Sequence, residues 1–283
     1  MGWTGFLGLF LLGCSPLAAV GSVCIFPKSF LLLLALGSAF FWLLTLFLIS
    51  ALFRAWAPLP ASPGPYAALV LVAVLVQELA RVGIWRFHRQ AAGSVLSVRV
   101  LQRIAAEQGD APLSAADRAS LALTHGLSHA AVHSAFFFLA WLPLSLGDGT
   151  IYSPHCPHMS YFLVGALSTL GLAALLAGGM VLFFDGLERR EVGRAAAVPM
   201  AHAAAALLTL LNLADGGCMV SMPLLLAGGG GVAAYAARVW WQRTTSPSVP
   251  PRLLAARRAA AAGVALSGDA GGSILAGERE RER

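Results

Sequence analysis

An amide, an acid and a base sit inside an apolar run at Val70–Arg86, which reads VLVAVLVQELARVGIWR. Gln77, Glu78 and Arg81 are the groups there with chemistry to offer. An ionised carboxylate in hydrocarbon costs several kcal/mol or more, so such residues face protein or trapped water and serve function or assembly. Glu78 lies roughly 12 Å before Arg86 at 1.5 Å per residue, too deep for a short acidic side chain to reach the membrane surface easily. Its sequence-visible partner is Arg81, three positions on and on the same helical face. Other helices must pack over this one.

A second constellation is His125, His129 and His133, spaced by four. Histidines one turn apart can share a metal, which raises a metal-dependent membrane hydrolase. No His-Glu-x-x-His run occurs, and the span supplies no carboxylate to act as base. Polar packing or the lining of a hydrated cavity is the plainer reading. Interleaved at the same spacing are Gly126, Ala130 and Ser134, small residues that let another helix approach closely.

Two other hydrolytic arrangements are testable by eye. An aspartyl site needs two carboxylates facing each other near mid-bilayer. Gly147-Asp148 ends a span with Ser145 ahead of it, and Asp185 sits at an inner boundary, so no pair forms. Ser128 adjoins His129, but neighbouring helical positions do not face each other, so no activated serine results. His202 lies near the middle of a later span, where a neutral imidazole needs a partner for its N–H; an interhelical contact is the expectation.

The elements that must position these groups follow from composition. The chain has 283 residues, 58% hydrophobic and only 11% charged, with mean hydropathy +0.76, unlike a soluble domain. The apolar residues form runs that meet the roughly 20-residue requirement of a spanning helix. Seven spans are expected, at about 5–26, 30–53, 66–86, 119–146, 159–184, 195–214 and 218–241. This is an all-α polytopic membrane domain over 1–243, followed by a disordered cytosolic tail at 244–283 that ends Glu-Arg-Glu-Arg-Glu-Arg. The first span lacks a basic n-region ahead of it, so it reads as a retained helix and not a cleaved signal.

Basic residues set the orientation. With the N-terminus lumenal or extracellular, Lys28, the 86–118 loop, Arg189, Arg190, Arg194 and the C-terminal tail fall in the cytosol. The outer loops 54–65, 147–158 and 215–217 then hold one basic residue, Arg54. The net charge of +6 follows from that asymmetry and points to anionic membrane lipid; no nucleic-acid motif accompanies it. Within the inner loop, Val95–Glu107 has an amphipathic pattern suited to a surface-lying helix or a solvated linker. Ser114 is placed to cap the fourth helix. Cys14 and Cys24 read as small apolar packing. Cys156 and Cys218 both fall on the outer side, where a bridge is open to them, but sequence supplies no geometry for one, and separate thiols are the expectation.

Four stretches then carry a family likeness: Gly37-Ser-Ala-Phe-Phe-Trp-Leu-Leu in the second span, Gln77-Glu78 with Arg81 in the third, Gly126-Leu-Ser in the fourth, and Phe183-Phe-Asp185-Gly-Leu-Glu188-Arg-Arg closing the fifth. His202 precedes Asn212 by ten residues. Together these resemble the anterior-pharynx-defective family, the multispanning scaffold subunit of gamma-secretase, over roughly residues 5–240. In that family the fourth-span motif is Gly-x-x-x-Gly-x-x-x-Gly. Ala130 and Ser134 replace its later glycines, so a looser helix approach is expected. Leu176 stands where the family has a membrane histidine.

The resemblance implies a non-catalytic role without cofactor or metal. Such subunits bind nicastrin, then gather presenilin and the presenilin enhancer subunit; presenilin carries the aspartates that cleave Notch and amyloid-precursor-like substrates. It implies a multi-pass protein of the endoplasmic reticulum, Golgi and plasma membrane. It also assigns Gly126, Ala130, Ser134, Gln77, Glu78, Arg81, Asp185 and His202 to helix packing or partner contact. The rival class is a seven-span receptor or transporter whose cavity Glu78 and the histidines would line.

Overall fold

The computed structural model describes residues 2–56, 63–91, 114–147 and 149–245. Seven helices account for most of them: α1 Trp3–Cys24, α2 Ser29–Trp56, α3 Pro63–Ala91, α4 Ala115–Ser134, α5 Tyr161–Glu188, α6 Val192–Leu208 and α7 Cys218–Thr245. All but α4 are long and apolar enough to cross a membrane. Helix α4 carries Asp117, Arg118 and three histidines, which lowers its hydropathy without shortening it. Its run continues through a π-helical turn at Ala135–Leu139 and a 3-10 turn at Leu142–Leu146, so the expected span 119–146 is helical but not one uniform α-helix. A further 3-10 turn, Thr209–Leu213, extends α6.

The helical fold has one exception among the described residues. Tyr152–Ser153 (β1) pairs antiparallel with Cys156–Ser160 (β2) in a short hairpin ahead of α5. Cys156 is disulfide-bonded to Cys218, with Cα atoms 6.1 Å apart. This corrects the expectation of separate thiols. The hairpin and the first turn of α7 are far apart in sequence yet adjacent in space, which no local pattern could disclose. The Gly216 amide donates to the His155 carbonyl at 2.8 Å, and His155 Nδ1 meets Asp215 at 2.6 Å, closing the same corner.

Helix α5 is the axis of the bundle. It packs against α7, α4, α6 and α1, while α2 lies on α4 and α3 lies on α6 and α2. The reason is its side-chain size: Gly171, Gly178, Gly179 and Gly186 leave grooves in which neighbours come close. A Cβ added at Gly229 of α7 would stand 2.1 Å from the Gly171 carbonyl oxygen, so the two backbones touch at that crossing. On the periphery, α2 exposes Leu33, Leu36, Phe40, Leu44, Phe47 and Leu48. Such a face suits hydrocarbon as solvent.

Local signals start and stop these helices. Ser114 accepts from the Asp117 amide at 3.1 Å while Asp117 accepts from the Ser114 amide at 3.0 Å, a reciprocal capping box that opens α4. At the far end of α5 the Glu191 amide reaches the Gly186 carbonyl at 2.8 Å and the Arg190 amide the Leu187 carbonyl at 3.3 Å. That is a Schellman turn, with Arg190 at φ 59° in the place usually held by glycine. The amphipathic stretch Val95–Glu107, Asp148 and the tail beyond Thr245 lie outside the described residues.

Candidate functional site

Glu78 sits on the buried face of α3, where the helix meets α6. Arg81, one turn on, closes onto both carboxylate oxygens, and His202 Nδ1 of α6 donates to Oε1 at 2.6 Å. Arg81 is fully buried and Glu78 is 8% exposed. The guanidinium also lies 5.9 Å from the Phe183 ring of α5, within reach of a cation–π attraction. An acid in α3, a base in α3 and an imidazole in α6 thus form one cluster held against the central helix.

Gln77 extends the cluster to α4. Its Oε1 accepts from His129 Nε2 at 3.0 Å. The His129 ring is stacked on Trp42 of α2, centroids 3.6 Å apart and planes 4° apart. One turn back on α4, His125 Nδ1 bonds Ser38 Oγ of α2 at 2.8 Å, and its Nε2 contacts Nε2 of His88 on α3. Ser38 and Trp42 belong to the Gly37-Ser-Ala-Phe-Phe-Trp run, so that motif supplies the α2 surface on which the histidines rest. Sequence reading missed this role, although the four-residue spacing of Ser38 and Trp42 matches that of His125 and His129. His133 leaves the cluster and packs beside Phe137, centroids 4.5 Å apart.

The three histidines therefore share a face but not a ligand. Among the described residues, no three His, Cys, Asp or Glu side chains are grouped closely enough to hold a metal ion. Several buried polar atoms have no partner among these residues: Arg81 Nε and Nη2, His129 Nδ1, His133 Nδ1 and Trp42 Nε1. Unmatched buried groups cost about 1–3 kcal/mol each, so an enclosed water bridging these atoms would stabilise the network.

Asp185 forms a separate cluster in the last turn of α5, two residues beyond Phe183. Arg194 of α6 meets Oδ2, and Arg243 of α7 grips Oδ1 through Nε at 2.7 Å and Nη2 at 2.6 Å. Glu191 adds an ion pair to Arg194 at 2.7 Å, and Glu188 pairs with Arg118 of α4 at 3.0 Å. The Phe-Phe-Asp boundary thereby ties three helix ends together. Glu78 and Asp185 engage different arginines and do not form a carboxylate pair.

The small-residue motif faces α5. A Cβ on Gly126 would lie 2.5 Å from the Ala177 carbonyl oxygen and 3.0 Å from Ala177 Cα. Ala130 and Ser134 are buried along the same helix, and the Ser134 hydroxyl donates to the Ala130 carbonyl at 2.8 Å. Leu176 packs with Ala130, Ala205 and Met222 in an apolar cluster, so α5 contributes no imidazole there. The closest helix approach is between α5 and α7, which sequence reading did not single out. The signal was the run Gly228–Gly231 opposite a span that carries Gly171 and Gly178.

These features define an integral membrane protein: a helical bundle whose polar residues are turned inward and bonded between helices. A sequence model of the Aph-1 protein family matches residues 4–243. The chain belongs to that family. It is 32% identical to the gamma-secretase subunit APH1-like of Arabidopsis thaliana over 77% of this chain and 86% of that one. It is 28% identical to the human gamma-secretase subunit APH-1B over 70% of this chain and 74% of that one. With the zebrafish (Danio rerio) gamma-secretase subunit Aph-1b the identity is 26%, over 73% and 78%.

Proposed function

We propose that this chain is a non-catalytic scaffold and assembly subunit of a gamma-secretase complex. It would bind nicastrin, presenilin and the presenilin enhancer subunit, in a complex that cleaves type I membrane proteins such as Notch and amyloid precursor protein within the bilayer. The observation that carries this reading is the engagement of Glu78 and Asp185, the buried acids among the described residues, by arginines of their own bundle. A carboxylate pair for hydrolysis needs the two acids to face each other, and here each neutralises a helix contact instead.

In this reading 1–243 is a seven-span domain with α4 as the polar fourth crossing, N-terminus outside and C-terminus cytosolic. The tail 244–283 lies in the cytosol. The protein resides in the endoplasmic reticulum, Golgi and plasma membrane. Gly126, Ala130, Ser134, Gln77, Glu78, Arg81, Asp185 and His202 then serve helix packing and partner contact. Purification of the tagged chain in mild detergent, with mass spectrometry of what co-elutes, tests it. Presenilin-, nicastrin- and enhancer-like proteins are expected, and Gly126→Leu should reduce their recovery. A lone chain that turns over a substrate unaided would overturn the proposal.

A further inference from the structure

The described charges are divided unevenly between the two ends of the bundle. Where α1, α3, α5 and α7 end and α2, α4 and α6 begin, nine lysine and arginine side chains stand against four carboxylates, those of Asp117, Asp185, Glu188 and Glu191. The opposite end sets Arg54 against Asp215. All four acids of the basic end are already engaged. Asp117 closes the cap with Ser114, Glu188 holds Arg118, Glu191 holds Arg189 and Arg194, and Asp185 holds Arg194 and Arg243. Lys28, Arg86, Arg190 and Arg238 remain exposed, and their side chains have no partner among the described residues.

Arg190 is the most informative of these four. Its φ of 59° lies in the left-handed region, where a Cβ crowds the following carbonyl and glycine is the favoured residue after a helix. The turn uses only its backbone amide, which reaches the Leu187 carbonyl at 3.3 Å. Glycine would supply that amide without the strain, and no contact of the guanidinium within the bundle offsets it. A strained position whose side chain the fold does not use points to a role outside the fold.

Charge and level together select the occupant. The four free cations lie on separate elements: the α1–α2 turn, the end of α3, the α5–α6 turn and α7. They share the level at which spanning helices end, where an anionic leaflet offers a whole plane of negative headgroups. Trp241, one turn from Arg238, is 64% exposed, as an aromatic ring at a membrane interface is. Arg238 stands about 7 Å short of Arg243 along α7 at 1.5 Å per residue, a gap that a long basic side chain spans. Guanidinium groups match phosphate oxygens in a planar fork.

We propose that this end of the bundle binds anionic phospholipid, with Lys28, Arg86, Arg190 and Arg238 on headgroup phosphates of the adjoining leaflet. The site rests on the helices spanning a membrane and not on which partners the chain assembles with.

The test supplies the full chain in mild detergent with equal fractions of phosphatidylcholine or phosphatidylglycerol and reads the unfolding midpoint by tryptophan fluorescence. Phosphatidylglycerol should give the higher midpoint, because a ligand of the native state stabilises it. Salt at about 1 M, where the Debye length is about 3 Å, should remove the difference. Arg190→Gly should raise the midpoint in phosphatidylcholine by about 2–4 °C as the strain is relieved. The same variant should lower the phosphatidylglycerol gain by about a quarter, as one of four comparable cations. Arg190→Lys should keep the gain. Combining Arg190→Gly with Lys28→Gln, Arg86→Gln and Arg238→Gln should abolish it, whereas Arg54→Gln at the opposite end should leave it unchanged. Equal midpoints of the natural chain in the two lipids, or a full gain in the combined variant, would overturn the site. Equal stabilisation by soluble polyglutamate would also overturn it, assigning the cations to an acidic protein segment.

Discussion

Glu78 has two neighbours of unequal weight. Arg81 provides the opposite charge, while His202 provides a hydrogen bond from a different helix. Removing one member of a buried ion pair strands the other, a cost of about 3–5 kcal/mol. Losing a hydrogen bond while the charge stays compensated costs about 1–3 kcal/mol. Glu78→Ala should therefore lower the unfolding midpoint in mild detergent more than His202→Ala does, and Glu78→Ala with Arg81→Met should recover part of the loss. The reverse order of the single variants would show that the acid is not neutralised by Arg81. At this scale the sequence was informative: a polar residue inside an apolar run is visible whatever the fold, and a spacing of three on a helix makes Glu78 and Arg81 neighbours. Their more distant partners were not visible. Nothing local connects Glu78 to His202, which is 124 residues away, or Gln77 to His129, 52 away.

Between elements, packing is set by missing side chains. The Gly229 position has no room for a methyl group because the Gly171 carbonyl lies against it, whereas an added Cβ at adjacent Gly228 meets nothing within 4 Å. Gly229→Ala should separate α5 from α7 and destabilise the bundle, by about 1–3 kcal/mol on the scale of overpacked cores. Gly228→Ala should be neutral or stabilise by about 0.5–1 kcal/mol, since alanine restricts the unfolded chain more than glycine does. Thermal unfolding of the two variants side by side separates these outcomes; equal effects would mean that α5 and α7 do not touch there. The existence and rough ends of the helices were readable from hydropathy, and the Ser114 cap from its local residue pattern. The break of the fourth span into α, π and 3-10 turns was not, because hydropathy reports partition into lipid and is insensitive to which backbone bond pattern satisfies the amides.

Across the whole molecule, one covalent link joins the hairpin before α5 to the start of α7. The bridge spans 62 residues, and cross-linking a loop of that size restricts the unfolded chain by about 4 kcal/mol. Cys156→Ser should lower the unfolding midpoint, and reducing agent should lower that of the natural chain but leave the variant unchanged. Insensitivity of both would mean that the thiols are free. Hydropathy and the motifs around Gln77, Glu78 and Phe183–Arg190 were enough to establish a helical membrane protein of the Aph-1 type. These properties are written in residue type and in spacings of a few residues, where helical geometry leaves little choice. The choice of α5 as the axis, the disulfide and the His129–Trp42 stack were decided only by tertiary structure. Each depends on surfaces tens of residues apart, and close packing selects one arrangement among many that the same apolar pattern would permit.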